Sequence, residues 1–165
     1  MKKNILFLSM LFLLPVLVQA NEKIVQVDSV GRIELTNGQT VQLAGISLPE
    51  EAVVLLSVLL TGKNCDIKEA KEISSVVGSN GPMHVYMYIE TSDLLIQKET
   101  ANKNAREKRM VNEFLLSLGS ARTNLSVPFK YQEEFVEIEN QARETGQGVW
   151  SYELPAIQET QKIKA

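Results

Sequence analysis

Cysteine and histidine are almost missing from this chain. Its 165 residues contain one of each, Cys65 and His84. A single cysteine excludes a disulfide framework within the chain, and it excludes zinc or iron–sulfur sites built from several cysteines. A single histidine excludes histidine-rich metal sites and any mechanism that needs two imidazoles. Cys65 suits an oxidising compartment only if it is buried or pairs with another chain.

The chain also lacks a strong charge of either sign. It has 17 Lys and Arg residues against 20 Asp and Glu residues, which gives a formal net charge of −3. Bulk attraction for nucleic acid is therefore absent, and such binding would need a local basic patch. The hydrophobic fraction of 44% is enough to build a core, and the length fits one ordinary domain.

Residues 1–20 have the layout of a secretory signal peptide. Two lysines lie near the start, Ile5–Leu17 is almost entirely apolar, and a small-x-small site ends at Ala20. A retained N-terminal anchor fits less well, because the apolar run is short for a membrane span and contains Pro15. The sequence therefore predicts an exported protein, periplasmic or secreted, that works in the cell envelope and has no further transmembrane segment after cleavage.

The rest of the chain predicts five strands and three helices. Asn37-Gly38 lies between two alternating runs, which is a strong hairpin signal, and Pro49 followed by two acids is typical of a helix start. The pattern favours an α+β fold, a five-stranded β-barrel of the OB-fold kind with helices packed beside it. Residues 151–165 are predicted to be a flexible tail. The strands are predicted at about 24–30, 32–35, 40–46, 64–68 and 83–89, and the helices at about 49–60, 109–118 and 130–145.

Five segments, in the same order along the chain, resemble the staphylococcal nuclease-like (thermonuclease) family. The most specific reads Gln-Leu-Ala-Gly-Ile-Ser-Leu-Pro-Glu, where the family has Arg-Leu-Ala-Gly-Ile-Asp-x-Pro-Glu. The resemblance implies an OB-fold domain over about 21–150. For active members it implies calcium-dependent cleavage of phosphodiesters in DNA and RNA. The five segments are Gln42–Glu50, Leu59–Lys63, Val85–Tyr88, Met110–Ala121 and Glu139–Trp150.

The metal-binding positions that the resemblance implies have lost their carboxylates. The first metal-binding aspartate falls on Gly31 and the second falls on Ser47. The residue that lends a backbone oxygen falls on Leu48. Asp28 is close to the first position but displaced by three residues. Since Ca²⁺ needs hard oxygen ligands, mostly carboxylates, this pattern predicts that no metal is bound.

The phosphate-binding positions are altered as well. The two arginines of the family fall on Gln42 and Pro82, and neither residue carries a charge. Only the general-base glutamate is kept, as Glu50, and a negative charge at a helix N-terminus explains that residue without catalysis. Removing one electrostatic stabiliser typically costs about 2.7–4 kcal/mol of transition-state stabilisation. Losing both arginines and the metal site predicts the loss of useful hydrolysis.

The first predicted helix is apolar on all sides, because Ser57 is the only polar residue between Ala52 and Leu60. Such a helix needs cover on a second side. Two interpretations stay open: burial under the stretch around Thr91–Arg109, or a docking face for a partner protein or a second copy. The candidate docking residues are Leu55, Leu56 and Leu59.

The stretch Thr91–Arg109 is rich in bases within an otherwise acidic chain. One interpretation is a contact with an anionic partner, including nucleic acid. The other is a solvated loop that runs into a charged helix start. The candidate binding residues in this stretch are Lys103, Arg106, Lys108 and Arg109.

These observations lead to a principal hypothesis and two alternatives. The principal hypothesis is an exported, catalytically inactive nuclease-like domain that needs no cofactor. It would act as a binding or structural module in the cell envelope, within a larger secretion or surface assembly. The first alternative is a secreted or periplasmic Ca²⁺-dependent nuclease that uses Asp28, Glu50 and the Arg106–Arg109 cluster. The second is an oligonucleotide-binding module that does not cleave.

Overall fold

The computed structural model describes residues 21–78, 81–94 and 108–152. It contains eight strands, four α-helices and two 3₁₀ helices, the latter at Thr91–Leu94 and Gly148–Tyr152, within those ranges. The strands are β1 (Glu22–Val27), β2 (Ile33–Leu35), β3 (Thr40–Leu43), β4 (Ile46–Ser47), β5 (Asn64–Glu69), β6 (Met83–Glu90), β7 (Lys108–Met110) and β8 (Arg122–Thr123). The helices are α1 (Glu50–Leu60), α2 (Lys71–Val77), α3 (Val111–Ser117) and α4 (Gln132–Glu144).

Five of the strands close into a barrel. Antiparallel pairing joins β3, β2, β1, β5 and β6 in that order, and a parallel pairing of β3 with β6 closes the ring. In the closing pair, Val41 lies opposite Met83 and Leu43 lies opposite Val85. β7 adds to the outer side of β6, while β4 and β8 form a separate ribbon. The predicted α+β class and five-stranded barrel are confirmed.

The predicted hairpin at Asn37-Gly38 is confirmed. Gly38 has a φ of +80°, which an L-residue with a side chain rarely adopts. The backbone N–H of Leu35 donates to the carbonyl of Gln39, 2.9 Å away, and Gly38 N–H returns a bond to Leu35. β1, β2 and β3 are therefore consecutive antiparallel strands.

The third predicted strand is shorter than the sequence suggested. β3 ends at Leu43, and the next two strand residues, Ile46 and Ser47, pair with β8 instead. Gly45 separates the two pieces with a φ of +69°, and its missing Cβ leaves room for the Phe129 ring. The chain thus turns out of the barrel just before α1, which places Ser47 and Leu48 at the end of a short ribbon.

One helix, α2, and two short strands, β7 and β8, were not predicted. α2 reads Lys-Glu-Ile-Ser-Ser-Val-Val, whose β-branched and serine residues are poor helix formers. Only Ile73 of this helix is buried, so its hydrophobic pattern is too weak to predict. β7 has three residues, and it takes the place of the first turn predicted for α3.

The core fills the barrel and the space between the barrel and α3 and α4. α4 presents Phe135 and Ala142 to the core, with Ile138 partly buried between them, as the predicted spacing required. Cys65 is also buried, on β5. Burial raises the pKa of its thiol to about 11, and the carboxylates of Asp66 and Glu22 add to the rise.

Several predictions fall on residues outside the described ranges. These are the signal peptide at 1–20, most of the stretch before β7 with Lys103 and Arg106, and the tail beyond Tyr152. The second 3₁₀ helix continues to Tyr152, so ordered structure passes the predicted end of the domain by two residues. No helix within the described ranges is both long enough and apolar enough to span a membrane.

Candidate functional site

Gly31, to which the sequence resemblance assigns the first metal position, is packed against apolar side chains. It is buried, and a Cβ placed on it would lie 3.0 Å from Cδ1 of Leu48 and 3.7 Å from Cγ2 of Val53. Its φ of +81° also disfavours any residue with a side chain. A carboxylate at this position would need both a strained backbone and a displaced Leu48. The space that should hold a metal ligand is therefore filled by hydrocarbon.

Asp28 has its oxygens engaged within the turn that leads to Gly31. Its Oδ1 accepts the backbone N–H groups of Val30 and Arg32 at 3.0 and 2.8 Å, and its Oδ2 accepts Nε of Arg32 at 2.6 Å. Desolvation acts to raise the pKa of this carboxyl, but the hydrogen bonds from Arg32 and Val30 outweigh it and hold the pKa below its usual value. Asp28 stabilises the turn, and its lone pairs are largely occupied.

The second metal position and the general-base position lie at the start of α1. Ser47 and Glu50 are exposed, and Leu48 is half-buried against Gly31. Glu50 and Glu51 occupy the first turn of a helix whose N-cap, Pro49, offers no side-chain hydrogen bond. Their negative charges therefore stabilise the positive end of the helix, as expected for that place.

The residues around Gly31 do not fit a calcium ion. The family positions offer a glycine, a serine hydroxyl and a leucine, where hard carboxylate oxygens are required. Within the described ranges, no three side chains of His, Cys, Asp or Glu come together as a metal-binding group.

The two phosphate positions lie in separate depressions. Gln42 is paired in register with His84, and both line a small cavity of about 160 Å³ together with Asn124 and Ser126. Burial lowers the pKa of His84, which favours its neutral form. Pro82 lines a different, polar depression with the ion-paired Asp28 and Arg32. The structure therefore does not bring a guanidinium clamp together at either position.

Helix α1 has one buried face and one exposed apolar face. Leu56 does not belong to an exposed docking face, because its side chain is fully buried in the core. Leu55 and Leu59 are half-buried. The residues that extend outward are Val54, which is 65% exposed, and Val58, which is 76% exposed.

An apolar groove runs beside this exposed face. Its volume is about 550 Å³, and Ala52 and Leu55 of α1 form one wall. Gly119 and the residues Gly148 and Val149 form the other wall. Of the three residues that the sequence assigned to a docking face, Leu56 is therefore excluded by burial, and the docking role of Leu55 and Leu59 stays a prediction.

The basic residues of the described stretch have partners within the domain. Lys108 on β7 forms an ion pair with Asp66 on β5. The Arg109 guanidinium lies 5.1 Å from the centre of the Phe114 ring, and its Nη2 is 3.5 Å from Oγ of Ser117. These contacts favour structural roles for Lys108 and Arg109 over a patch that waits for an anion.

Two polar residues that hold the scaffold together were missed in the sequence, the buried Asn112 and the half-buried Glu72. Asn112 is fully buried between α3 and the barrel, and Glu72 accepts both the Tyr86 hydroxyl at 2.6 Å and the Lys130 backbone N–H at 3.0 Å. The role of Asn112 could have been predicted, since it is the one amide inside an apolar run. The role of Glu72 could not, because it lies on the unpredicted helix α2.

A family model described as staphylococcal nuclease homologue matches residues 40–152, which is more than half of the chain. No curated protein matches the chain.

Proposed function

Because the chain belongs to the staphylococcal nuclease homologue family, we propose that it keeps the scaffold of these nucleases but not their hydrolytic activity. In this proposal it is an exported protein of the cell envelope, and its domain binds a partner protein within a larger secretion or surface assembly. The partner contact is made by the exposed face of α1, here defined as Val54, Leu55, Val58 and Leu59.

The observation that carries the proposal is the contact between Gly31 and Leu48. A missing ligand alone leaves a gap that water or another side chain can fill, whereas here the Leu48 methyl group lies 3.0 Å from the point where a side chain would begin. The local backbone conformation of Gly31 also disfavours the return of an aspartate. The packing at Gly31 disfavours a carboxylate, so replacing this residue alone with aspartate would not restore a metal site.

Electrostatics supports the same conclusion. A phosphodiester substrate and its transition state are anionic, and the family positions that should meet them hold Gln42 and Pro82. A neutral amide and a proline cannot provide the bidentate donors of an arginine. Glu50 remains at its position, but its own negative charge repels an anionic substrate.

A partner-binding role follows from the surface of α1. Val54 and Val58 are one turn apart and both extend into solvent, next to a groove of about 550 Å³. Contiguous exposed apolar area next to a concave surface is typical of protein interaction sites. Other exposed large apolar residues of the described surface are Val25, Val30, Leu125 and the neighbouring pair Val76 and Val77 on α2.

The catalytic half of the proposal is tested by a cleavage assay. The chain without its first 20 residues is incubated with single-stranded DNA and with RNA, in calcium and in chelator. We expect no difference between the calcium and chelator samples. Chelator-sensitive cleavage that disappears in Glu50→Ala would overturn the proposal and establish a calcium-dependent nuclease. Salt-sensitive binding of DNA without cleavage would identify an oligonucleotide-binding module instead.

The binding half is tested by co-purification of the exported protein from the envelope fraction. We expect Val58→Glu to remove the envelope proteins that accompany the wild type. Val76→Glu is the matched control, because Val76 is 66% exposed on α2 and lies on another helix. Equal loss in both variants would contradict a role for α1.

A further inference from the structure

One wall of the apolar groove beside α1 belongs to the last described element of the chain. Gly148 and Val149 of the second 3₁₀ helix line the groove together with Ala52 and Leu55 of α1, around a volume of about 550 Å³. A volume of this size holds several side chains of an extended segment. The residues that follow Tyr152 therefore start beside the groove.

The segment directly after Tyr152 is apolar in sequence. One glutamate is followed by the apolar residues Leu154–Ile157, and no later run of four residues is apolar throughout. A 3₁₀ helix rises about 2 Å per residue and an extended chain spans at most about 3.6 Å per residue, so Leu154 begins within about 13 Å of Val149. This segment can therefore reach the groove without a linker.

Proline makes the segment suited to binding in an extended form. The ring of Pro155 fixes its own φ, and it disfavours helical conformations of the preceding Leu154. A segment with fewer accessible conformations loses less entropy when it is held in a groove.

The groove is lined at Gly119 by a residue that packs against a buried hydrogen-bond donor. A Cβ on Gly119 would lie 3.1 Å from Cδ1 of Trp150. Trp150 is 1% exposed, and its Nε1, which is bonded to Cδ1, has no hydrogen-bond partner among the described residues. A buried donor without an acceptor costs about 1–3 kcal/mol. An extended peptide carries a carbonyl group at every residue, so a peptide in the groove offers this donor an acceptor that a hydrocarbon ligand lacks.

We infer that Leu154–Ile157 binds in the groove beside α1 of its own chain. Its apolar side chains pack between Leu55 and Val149, the two larger apolar residues of the opposite walls. The only bases that follow in the sequence, Lys162 and Lys164, have the charge that complements Glu51, which also lines the groove.

The covalent connection makes a weak contact sufficient. A segment joined by a short connection has an effective concentration on the order of millimolar at its site. A free peptide or a second copy of the chain would need a similar concentration in solution to compete. This difference favours the chain's own segment as the occupant of the groove.

Disulfide trapping in the chain without its first 20 residues tests the inference. Ser120→Cys introduces a thiol that lines the groove, and Ala156→Cys introduces one in the segment. The control pair combines Ala156→Cys with Ser75→Cys, because Ser75 is exposed on α2 and does not line the groove. The natural Cys65 stays out of the reaction, since it is buried and burial raises the pKa of its thiol to about 11.

Equilibration with glutathione measures the effective concentration of one introduced thiol at the other. We expect a value about tenfold higher, or more, for the groove pair than for the control pair. Equal values in the two pairs overturn the inference. Circular dichroism melting checks that both double variants are folded, and Leu55→Cys takes the place of Ser120→Cys if that substitution destabilises the domain.

A second comparison separates binding from the nearness that the chain connection itself imposes. Leu154→Ser, added to the groove pair, removes an apolar side chain that binding buries, so the effective concentration should fall about threefold or more. Gln158→Ser is the matched control and should leave it unchanged. An unchanged value in Leu154→Ser overturns the inference, since the chain connection alone would then account for the disulfide.

The inference does not rest on the proposed function, because it concerns a contact within one chain. The bound segment covers Leu55 and leaves Val54 and Val58 exposed. Failure of the trapping experiment therefore leaves the partner-binding role of α1 in place, and calcium-dependent cleavage overturns the proposed function without affecting the contact in the groove.

Discussion

At the scale of single residues, Asn112 determines how α3 sits on the barrel. Its Nδ2 donates to the carbonyl of Ala44 at 2.9 Å and to that of Val85 at 3.3 Å, and its Oδ1 accepts the backbone N–H of Met87 at 3.2 Å. The Val85 carbonyl also accepts the backbone N–H of Ala44 at 2.9 Å. The Ala44 carbonyl and the Met87 N–H lie where the parallel pair that closes the barrel ends, and Asn112 provides their hydrogen bonds.

Asn112→Ala should therefore be costly. The substitution leaves the Met87 N–H buried without a partner, and an unsatisfied buried group of this kind costs about 1–3 kcal/mol. With the lost packing, we expect the free energy of unfolding to fall by about 2–4 kcal/mol, measured by urea denaturation. Asn140→Ala on the exposed side of α4 is the control, with an expected change below about 1 kcal/mol. A small effect at Asn112 would contradict the assigned network.

Glu113 gives a residue-scale prediction about pH. Burial and the neighbouring Glu134 raise the pKa of this carboxyl above its ordinary value of 4.5, while Arg109 partly opposes the rise. Ionisation therefore costs folding free energy, and this cost is absent below the unfolded pKa and complete above the folded one.

The matched variant is Glu113→Gln. We expect it to raise the Tm at pH 7, where the wild-type carboxylate is ionised, and to leave the Tm nearly unchanged at pH 4. The gain should stay below about 1 kcal/mol because the group is partly exposed and screened. A gain of equal size at both pH values would point to helix propensity and not to charge.

At the scale of secondary-structure elements, α1 shows what composition can and cannot predict. The apolar run of α1 correctly predicted a helix that has more hydrophobic surface than one core face needs. It gave no periodicity from which to tell the inner face from the outer, because leucine and valine occur on both sides. Which face of α1 packs on the core depends on where the chain leaves the β4–β8 ribbon. The sequence of the helix itself does not contain this information.

Alanine substitutions on the two faces of α1 test this assignment. Leu56→Ala opens a cavity in the core and should lower the free energy of unfolding by about 2–5 kcal/mol. Val58→Ala removes exposed methyl groups and should change it by less than about 1 kcal/mol in either direction. Comparable losses in the two variants, measured by urea denaturation, would mean that Val58 is covered within the monomer.

Other elements were predictable to the degree that a strong local signal exists. The Asn37-Gly38 pair predicts a hairpin turn, and the spacing of Phe135, Ile138 and Ala142 predicts one buried helix face. Both predictions are confirmed. α2 and β7 are short and depend on tertiary contacts such as the Tyr86–Glu72 hydrogen bond. Elements of this kind are stabilised by their surroundings and leave little trace in their own sequence.

At the scale of the whole molecule, the interactions that stabilise the barrel are separate from the positions that the family uses for metal and phosphate binding. The barrel is held by its strand pairing and core and by Asn112, none of which needs a metal or a charged cleft. The presence of Gly31, Ser47 and Pro82 at the positions that the resemblance assigns to two aspartates and an arginine is therefore compatible with an intact fold. Gly45-Ile46 and Pro49-Glu50 fix the alignment of the segment Gln42–Glu50, and the loss of charged groups at the family's positions stays a prediction from the sequence. The sequence did not predict that Leu48 fills the space at Gly31, since that contact joins residues from different turns.

The central claim, that apolar packing has replaced the metal site, is tested most directly by calcium titration. Thermal unfolding of the chain without its first 20 residues is followed with chelator and at increasing calcium up to millimolar concentrations. A native-state site filled to 100 times its Kd would add about 2.7 kcal/mol to the free energy of unfolding and raise the Tm. We predict no rise in Tm at any calcium concentration. A saturable rise that is lost in Glu50→Ala would contradict the account.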